Sequence, residues 1–152
     1  MQIKPRWEMV LVALPAVAGF SLSAACKMPR SDEIAFRPPG WVFAVVWPVL
    51  YALLGVAWYR TAVAAGAFSF PSAAYAATVL ALNLWQVVYS CKGQVKNAVF
   101  ALLASVLCAA YAIALSKAPE RLMLLPLLVW LSFATLLNAQ QAVQKAASRG
   151  SR

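Results

Sequence analysis

The uncharged run from Trp41 to Tyr59 constrains the fold of this chain more than any other stretch. Its nineteen residues follow Pro38-Pro39-Gly40, a tripeptide that cannot continue a helix, and they precede Arg60. A helix needs about 20 apolar residues to cross the hydrocarbon core of a bilayer. The run therefore predicts a membrane-spanning helix.

Four further uncharged runs repeat this pattern along the chain. Hydrophobic residues make up 64% of the sequence and charged residues 11%, whereas soluble domains contain about 45–50% apolar residues. Lys4 and Arg6 before the first run resemble the start of a signal peptide, but we interpret the run as an uncleaved span. The sequence predicts an all-α integral membrane protein in which residues 1–152 form a single domain, a bundle of five transmembrane helices. The expected spans are residues 9–26, 41–65, 71–91, 98–116 and 122–143.

The net charge of +9 comes from basic residues that lie between the apolar runs. Such a distribution predicts contact with anionic lipid head groups, and the absence of a basic stripe argues against nucleic acid as a partner. Five spans place the two termini on opposite sides of the membrane. Eight Lys and Arg residues fall on the side of the C-terminus and five on the other side, which predicts a cytosolic C-terminus. A bacterial envelope, a mitochondrial outer membrane and another intracellular membrane all fit these features.

The middles of the five runs contain no charged residue. A proton pump, a channel with a carboxylate ring or a voltage sensor needs at least one such group, so these classes are disfavoured. The chain has no histidine and four carboxylates, and we predict neither a metal site, nor a cofactor, nor catalytic residues. The three cysteines, Cys26, Cys91 and Cys108, show no CxxC spacing and are interpreted as buried structural thiols.

Two spans carry aromatic side chains at helical spacing. One face is formed by Trp47, Tyr51, Leu54 and Trp58, and the other by Trp130, Ala134, Leu137 and Gln141. Periodicity alone fits both helix packing and the wall of a ligand pocket. Asn83 likewise fits both a hydrogen bond across helices and the orientation of a ligand. Ala73, Ala77 and Ala81 form a small-residue ladder, which suits a dimer interface or close packing within one chain.

Three segments in order carry a resemblance to a known family. The first is Pro38-Pro39-Gly40-Trp41-Val42-Phe43, continued by Trp47 and Leu50-Tyr51; the second is Leu80-Ala81-Leu82-Asn83-Leu84-Trp85. The third is Leu125-Pro126-Leu127-Leu128-Val129-Trp130, followed by Phe133-Ala134-Thr135 and Leu137-Asn138. Together they resemble the motifs of the TspO/MBR family, the family of the translocator protein or peripheral-type benzodiazepine receptor.

The resemblance implies a five-helix bundle, often dimeric, that binds tetrapyrroles such as protoporphyrin IX and, in some members, sterols. The positions that match the family's pocket are Trp47, Tyr51, Asn83, Trp130, Ala134 and Leu137. Given this resemblance, we prefer the interpretation that the two aromatic faces form the wall of a ligand pocket. We therefore expect a receptor or carrier for a porphyrin-like or sterol-like molecule. The expected partners are that ligand, membrane lipids and a second copy of the chain. Two alternatives stay open: light- and oxygen-dependent degradation of the tetrapyrrole, and a membrane scaffold that acts through protein partners.

The chain departs from the family pattern in three places. Residues 27–37 contain neither Trp nor Tyr, although the family's first loop usually carries both. Gln86-Val87-Val88 stands where a Pro pair is usual, which predicts a straighter third helix. Residues 137–145 contain no Tyr, so the proposed cholesterol motif is missing and sterol recognition through it is unsupported.

Overall fold

The computed structural model describes residues 6–27 and 36–151, and these residues form five long helices. The helices are α1 (Val10–Ala25), α2 (Gly40–Ala65), α3 (Phe70–Gln86), α4 (Val95–Leu115) and α5 (Glu120–Gly150). A short 3-10 turn, Trp7–Met9, precedes α1, and a π-helical segment, Val87–Cys91, continues α3. All five are long and apolar enough to cross a membrane, which confirms the predicted fold class. Lys4, Arg30 and Arg152, which enter the charge count, lie outside the described residues.

The helices pack as a ring around a shared interior. Helix α1 contacts α2, α2 contacts α5, α5 contacts α4, α4 contacts α3, and α3 returns to α1. Leu54, Leu102 and Leu131 are almost completely buried where these helices meet. Within a bilayer the outward side chains face lipid, so the many exposed apolar residues of the isolated bundle are expected for a membrane protein.

Two glycines allow α1 to approach α2 closely. A β-carbon at Gly55 would lie 2.8 Å from the carbonyl carbon of Val12 and closer still to its oxygen. A β-carbon at Gly19 would collide with the ring of Tyr51. Small residues that let backbones meet are typical of helix contacts in membranes. Because Gly19 has no side chain, the ring of Tyr51 can pack directly against α1.

Hydrogen bonds and an ion pair join the helices at one end of the bundle. Trp58 Nε1 donates to Ser72 Oγ at 2.8 Å, which links α2 to α3. Tyr75 Oη and Ser116 Oγ lie 2.7 Å apart, which links α3 to the end of α4. Arg60 at the end of α2 forms an ion pair with Glu120 at the start of α5. These contacts satisfy polar groups that would be costly to leave unpaired in an apolar surrounding.

A disulfide joins the helices at the opposite end. Cys26, just after α1, is bonded to Cys91 at the end of the π-helical segment, and their Cα atoms lie 4.8 Å apart. Cys108 is the free cysteine of the described residues. The interpretation of the three cysteines as buried thiols is therefore wrong for Cys26 and Cys91, and Cys108 is a free thiol that is only half-buried.

Two helices extend beyond the predicted spans, and the third continues in a different helical pattern. Helix α5 continues to Gly150, past the predicted span of residues 122–143. Helix α4 begins at Val95, before the predicted span of residues 98–116. The third helix continues beyond Gln86 in the wider π-helical pattern, in which Lys92 N donates to Val87 O at 3.0 Å, five residues back.

Candidate ligand-binding site

A small cavity lies between α2, α3 and α5, and we call it the aromatic cavity. Its volume is about 40 Å³. It is lined by Arg37, Phe43, Trp47, Trp85, Tyr89, Trp130, Ala134, Leu137, Asn138 and Gln141. A single water needs about 10–15 Å³ of such space, so the cavity as it stands has room for a few small groups only.

Stacked aromatic rings form one wall of the cavity. The centroids of Trp47 and Trp85 lie 5.6 Å apart with 22° between the planes, and those of Trp85 and Tyr89 lie 5.7 Å apart with 18°. Trp130 meets Trp47 edge to face at 6.5 Å. Each such pair contributes about 0.5–1.5 kcal/mol beyond the area it buries. The wall thus spans three helices and presents flat ring surfaces.

Three hydrogen-bond donors on residues that line the cavity have no hydrogen-bond partner among the described residues. They are Trp85 Nε1, Trp130 Nε1 and Asn138 Nδ2, and all three are buried. Trp58, which is also buried, places its indole N–H on Ser72 instead. Leaving a buried donor unpaired costs about 1–3 kcal/mol. Three unpaired donors around one cavity are what a ligand with several acceptor atoms would satisfy.

The polar end of the cavity carries a cation and one completed hydrogen bond. The guanidinium of Arg37 lies 5.2 Å from the ring centroid of Phe43. Tyr89 Oη donates to Gln141 Oε1 at 2.8 Å. Among the described residues the cavity lining includes no carboxylate to balance Arg37. The site is therefore suited to a ligand that is aromatic, rich in acceptors and negatively charged.

The structure brings together four of the six residues proposed from the sequence. Trp47 of α2 and Trp130, Ala134 and Leu137 of α5 all line the cavity. Tyr51 lies one ring further back, 5.3 Å from Trp47. Their role in binding stays a prediction.

Asn83, the sixth residue, is placed differently. It is not among the lining residues of the aromatic cavity. Its Nδ2 donates to Val79 O at 2.8 Å, one turn back in its own helix. The amide that lines the cavity belongs to Asn138, and a role for Asn83 in binding stays a prediction.

Six residues of the cavity lining are absent from the sequence-based site set: Arg37, Phe43, Trp85, Tyr89, Asn138 and Gln141. Trp85 and Tyr89 lie four residues apart on the third span, so they share one helical face, as the aromatic residues of the second and fifth spans do. Asn138 lies one position after Leu137 within a recognised motif. Asn138 also lies four residues after Ala134, on the face already identified in the fifth span, so helical spacing could have placed it at the cavity.

The alanine ladder of α3 lies on the outside of the bundle. Ala73 and Ala77 are exposed, and Ala81 is half-buried. Packing within one chain therefore does not cover the first two residues of the ladder. Its role as a dimer interface stays a prediction.

A larger, open groove of about 860 Å³ runs along the outer face between α2 and α5. Apart from the indole of Trp130 its lining is apolar; it includes Val46, Leu50, Val129 and Phe133. Trp130 lines both this groove and the aromatic cavity. Its side chain therefore separates the aromatic cavity from the groove on the lipid-facing surface.

Five apolar helices in a ring, with an aromatic cavity between three of them, define a multi-pass membrane protein with an interior cavity. The sequence profile of the TspO/MBR family matches residues 9–143. Because this match covers nearly the whole chain, the protein belongs to the TspO/MBR family, as the motifs predicted. A comparison with curated protein sequences found no match.

Proposed function

We propose that this protein is a membrane receptor or carrier that binds a flat, acidic aromatic ligand of the tetrapyrrole class in the aromatic cavity. The observation that carries the proposal is the set of three unpaired donors, Trp85 Nε1, Trp130 Nε1 and Asn138 Nδ2, beside stacked rings. A tetrapyrrole offers a flat face to the rings and carboxylates to the donors and to Arg37. Membership of the family supports the same ligand class.

A sterol fits these groups less well. It offers one hydroxyl to three donors, so at least one indole or amide N–H would stay unpaired at a cost of about 1–3 kcal/mol. A sterol also lacks an acidic group for Arg37. The donor set therefore favours the tetrapyrrole over the sterol alternative.

The ligand requires the cavity to widen. The present volume is about 40 Å³, whereas sites for drug-sized molecules have about 300–1,000 Å³. Rotation of Trp130 would join the cavity to the groove of about 860 Å³ between α2 and α5. A ligand dissolved in the bilayer would then reach the cavity sideways, and the edge-to-face contact of Trp130 with Trp47 would be exchanged for contact with the ligand.

The test is a titration of the detergent-solubilised full chain with protoporphyrin IX, followed by quenching of tryptophan fluorescence. We expect saturable quenching that weakens about two- to tenfold in Asn138→Leu, since one hydrogen bond contributes about 0.5–1.5 kcal/mol. Arg37→Gln should weaken binding as well. Asn83→Leu tests the amide proposed from the sequence: a loss of affinity like that of Asn138→Leu would extend the site to Asn83, and an unchanged affinity would confine it to the cavity lining.

Trp58→Phe is the matched control for the loss of a tryptophan. Trp58 is buried like Trp47 but bonds to Ser72 outside the cavity. Its replacement should alter total fluorescence without altering the Kd. Quenching that does not saturate, or a Kd unaffected by both Asn138→Leu and Arg37→Gln, would contradict the proposal.

A further inference from the structure

A second concave site lies at the end of the bundle where the disulfide is, and we call it the basic recess. It has a volume of about 400 Å³ and lies between the turn that joins α3 to α4 and the last two turns of α5. Its charged lining residues are Lys92, Lys96, Lys145 and Arg149. The aromatic cavity shares none of its lining residues.

The extension of α5 beyond its apolar part creates this recess. The positive φ of +62° at Gly93 allows the tight turn after α3. Lys145 Nζ donates to Gly93 O at 3.4 Å, so the extension of α5 lies against the turn. Four cationic side chains from two separate parts of the chain thereby surround one space. Basic loops that only contact anionic lipid head groups would not require side chains from two segments to surround one recess.

No acidic side chain of the described residues balances these four charges. The described carboxylates are Glu8, before α1, and Glu120, at the start of α5. Both lie at the other end of the bundle, and Glu120 is already paired with Arg60. Like charges held close together repel each other, and a bound anion turns that repulsion into attraction.

The depth of the recess in the membrane indicates the source of the anion. The apolar part of the third span ends at Cys91, and Val95 of α4 is buried directly below the turn. The recess thus lies where hydrocarbon gives way to head groups, and its floor includes the apolar side chains of Val95 and Ala142. Basic pockets between helices at this level are suited to lipid phosphates.

We propose that the basic recess binds the phosphate of an anionic phospholipid from the adjoining leaflet, one lipid per chain. The phosphate lies among Lys92, Lys96, Lys145 and Arg149, and the start of the acyl chains lies over the apolar floor. This site is independent of the aromatic cavity and of the ligand proposed for it.

The test is native mass spectrometry of the full chain released from detergent with phosphatidylglycerol or phosphatidylcholine. We expect one retained phosphatidylglycerol per chain and no comparable retention of phosphatidylcholine. The double variant Lys96→Gln, Arg149→Gln should weaken retention about 30-fold, since each basic residue near an anionic lipid contributes a factor of about five. Exchanging the two cations, as Lys96→Arg with Arg149→Lys, should preserve retention.

The matched control removes two charges elsewhere, as Lys27→Gln with Lys117→Gln. Both residues are exposed, and neither lines the recess. An equal loss in this control would mean that retention follows net charge alone, which would overturn the proposal. Equal retention of the two lipids would overturn it as well. Displacement of the lipid by inorganic phosphate, but not by chloride at equal ionic strength, would assign the recess to a soluble anion instead of a lipid.

Discussion

Replacing Gly55 with alanine tests the contact that holds α1 against α2. The new β-carbon would lie 2.8 Å from the carbonyl carbon of Val12, and carbon atoms pack best at about 3.5–4.0 Å. The helices must therefore move apart by roughly 0.7 Å or more. The obstructing atoms are backbone, so no side-chain rotation relieves the collision. Overpacking of this kind costs about 1–3 kcal/mol, and we expect the upper part of that range.

The expected result is a fall in the melting temperature of about 4–12 °C in detergent, since 1 kcal/mol corresponds to about 2–4 °C for a chain of this size. Helix α1 should also lose protection against hydrogen exchange, because its buried residues are only Leu11, Pro15 and Gly19. Gly40→Ala is the control: Gly40 begins α2 and a β-carbon there would meet nothing within 4 Å. A Gly55→Ala protein that melts within 1 °C of the wild type would refute the close approach of these helices.

Three further predictions concern other contacts of the bundle. Tyr89→Phe removes the hydrogen bond to Gln141 and leaves a buried acceptor unpaired, so the free energy of unfolding should fall by about 1–3 kcal/mol in a denaturation series. The disulfide between Cys26 and Cys91 predicts one alkylated thiol per denatured chain without reductant and three with it, and its removal by Cys26→Ser should cost about 2–4 kcal/mol. Ala77→Leu should convert a homodimer to monomers in light scattering if the alanine ladder is the dimer interface.

Each of these has a control within the chain. Tyr111→Phe changes a tyrosine that is half exposed on α4 and should leave stability unchanged. Cys108→Ser should reduce both thiol counts by one and leave the disulfide in place. Ala110→Leu enlarges an exposed alanine on α4 and should leave the oligomeric state as it is. Dissociation by both alanine variants alike, or by neither, would contradict the assignment of the interface to α3.

The five spans were predictable from the sequence because the hydrocarbon core of a bilayer requires a long apolar helix, and each span is an uncharged run long enough to cross it. The helix ends followed a different rule. Helix α5 continues to Gly150 because the residues after Val143 are rich in Ala, Gln and Lys, which favour helix whether or not they are apolar. The π-helical turn before Cys91 has no comparable signal, since neither Pro nor Gly occurs in Val87–Cys91.

The site was predictable only as far as spacing determines which side chains share a face. Trp47 of α2 and Trp130 of α5 fall on such faces, and the family motifs brought the two faces together. Asn138 lies four residues after Ala134 on the same face, so spacing supports its place in the cavity, whereas Asn83 was proposed from the family motif. The disulfide pairs residues 65 positions apart, and only the meeting of two helix ends in three dimensions reveals it.

The most direct test of the aromatic cavity as a ligand site is ¹⁹F NMR of the chain labelled with 5-fluorotryptophan and titrated with protoporphyrin IX. The chain has six tryptophans, and single Trp→Phe variants assign their signals. We predict that the signals of Trp47, Trp85 and Trp130 shift to saturation together, while that of Trp58, buried but bonded to Ser72, stays in place. Shifts confined to the exposed Trp7 and Trp41, or no saturable shift at all, would contradict binding in the cavity.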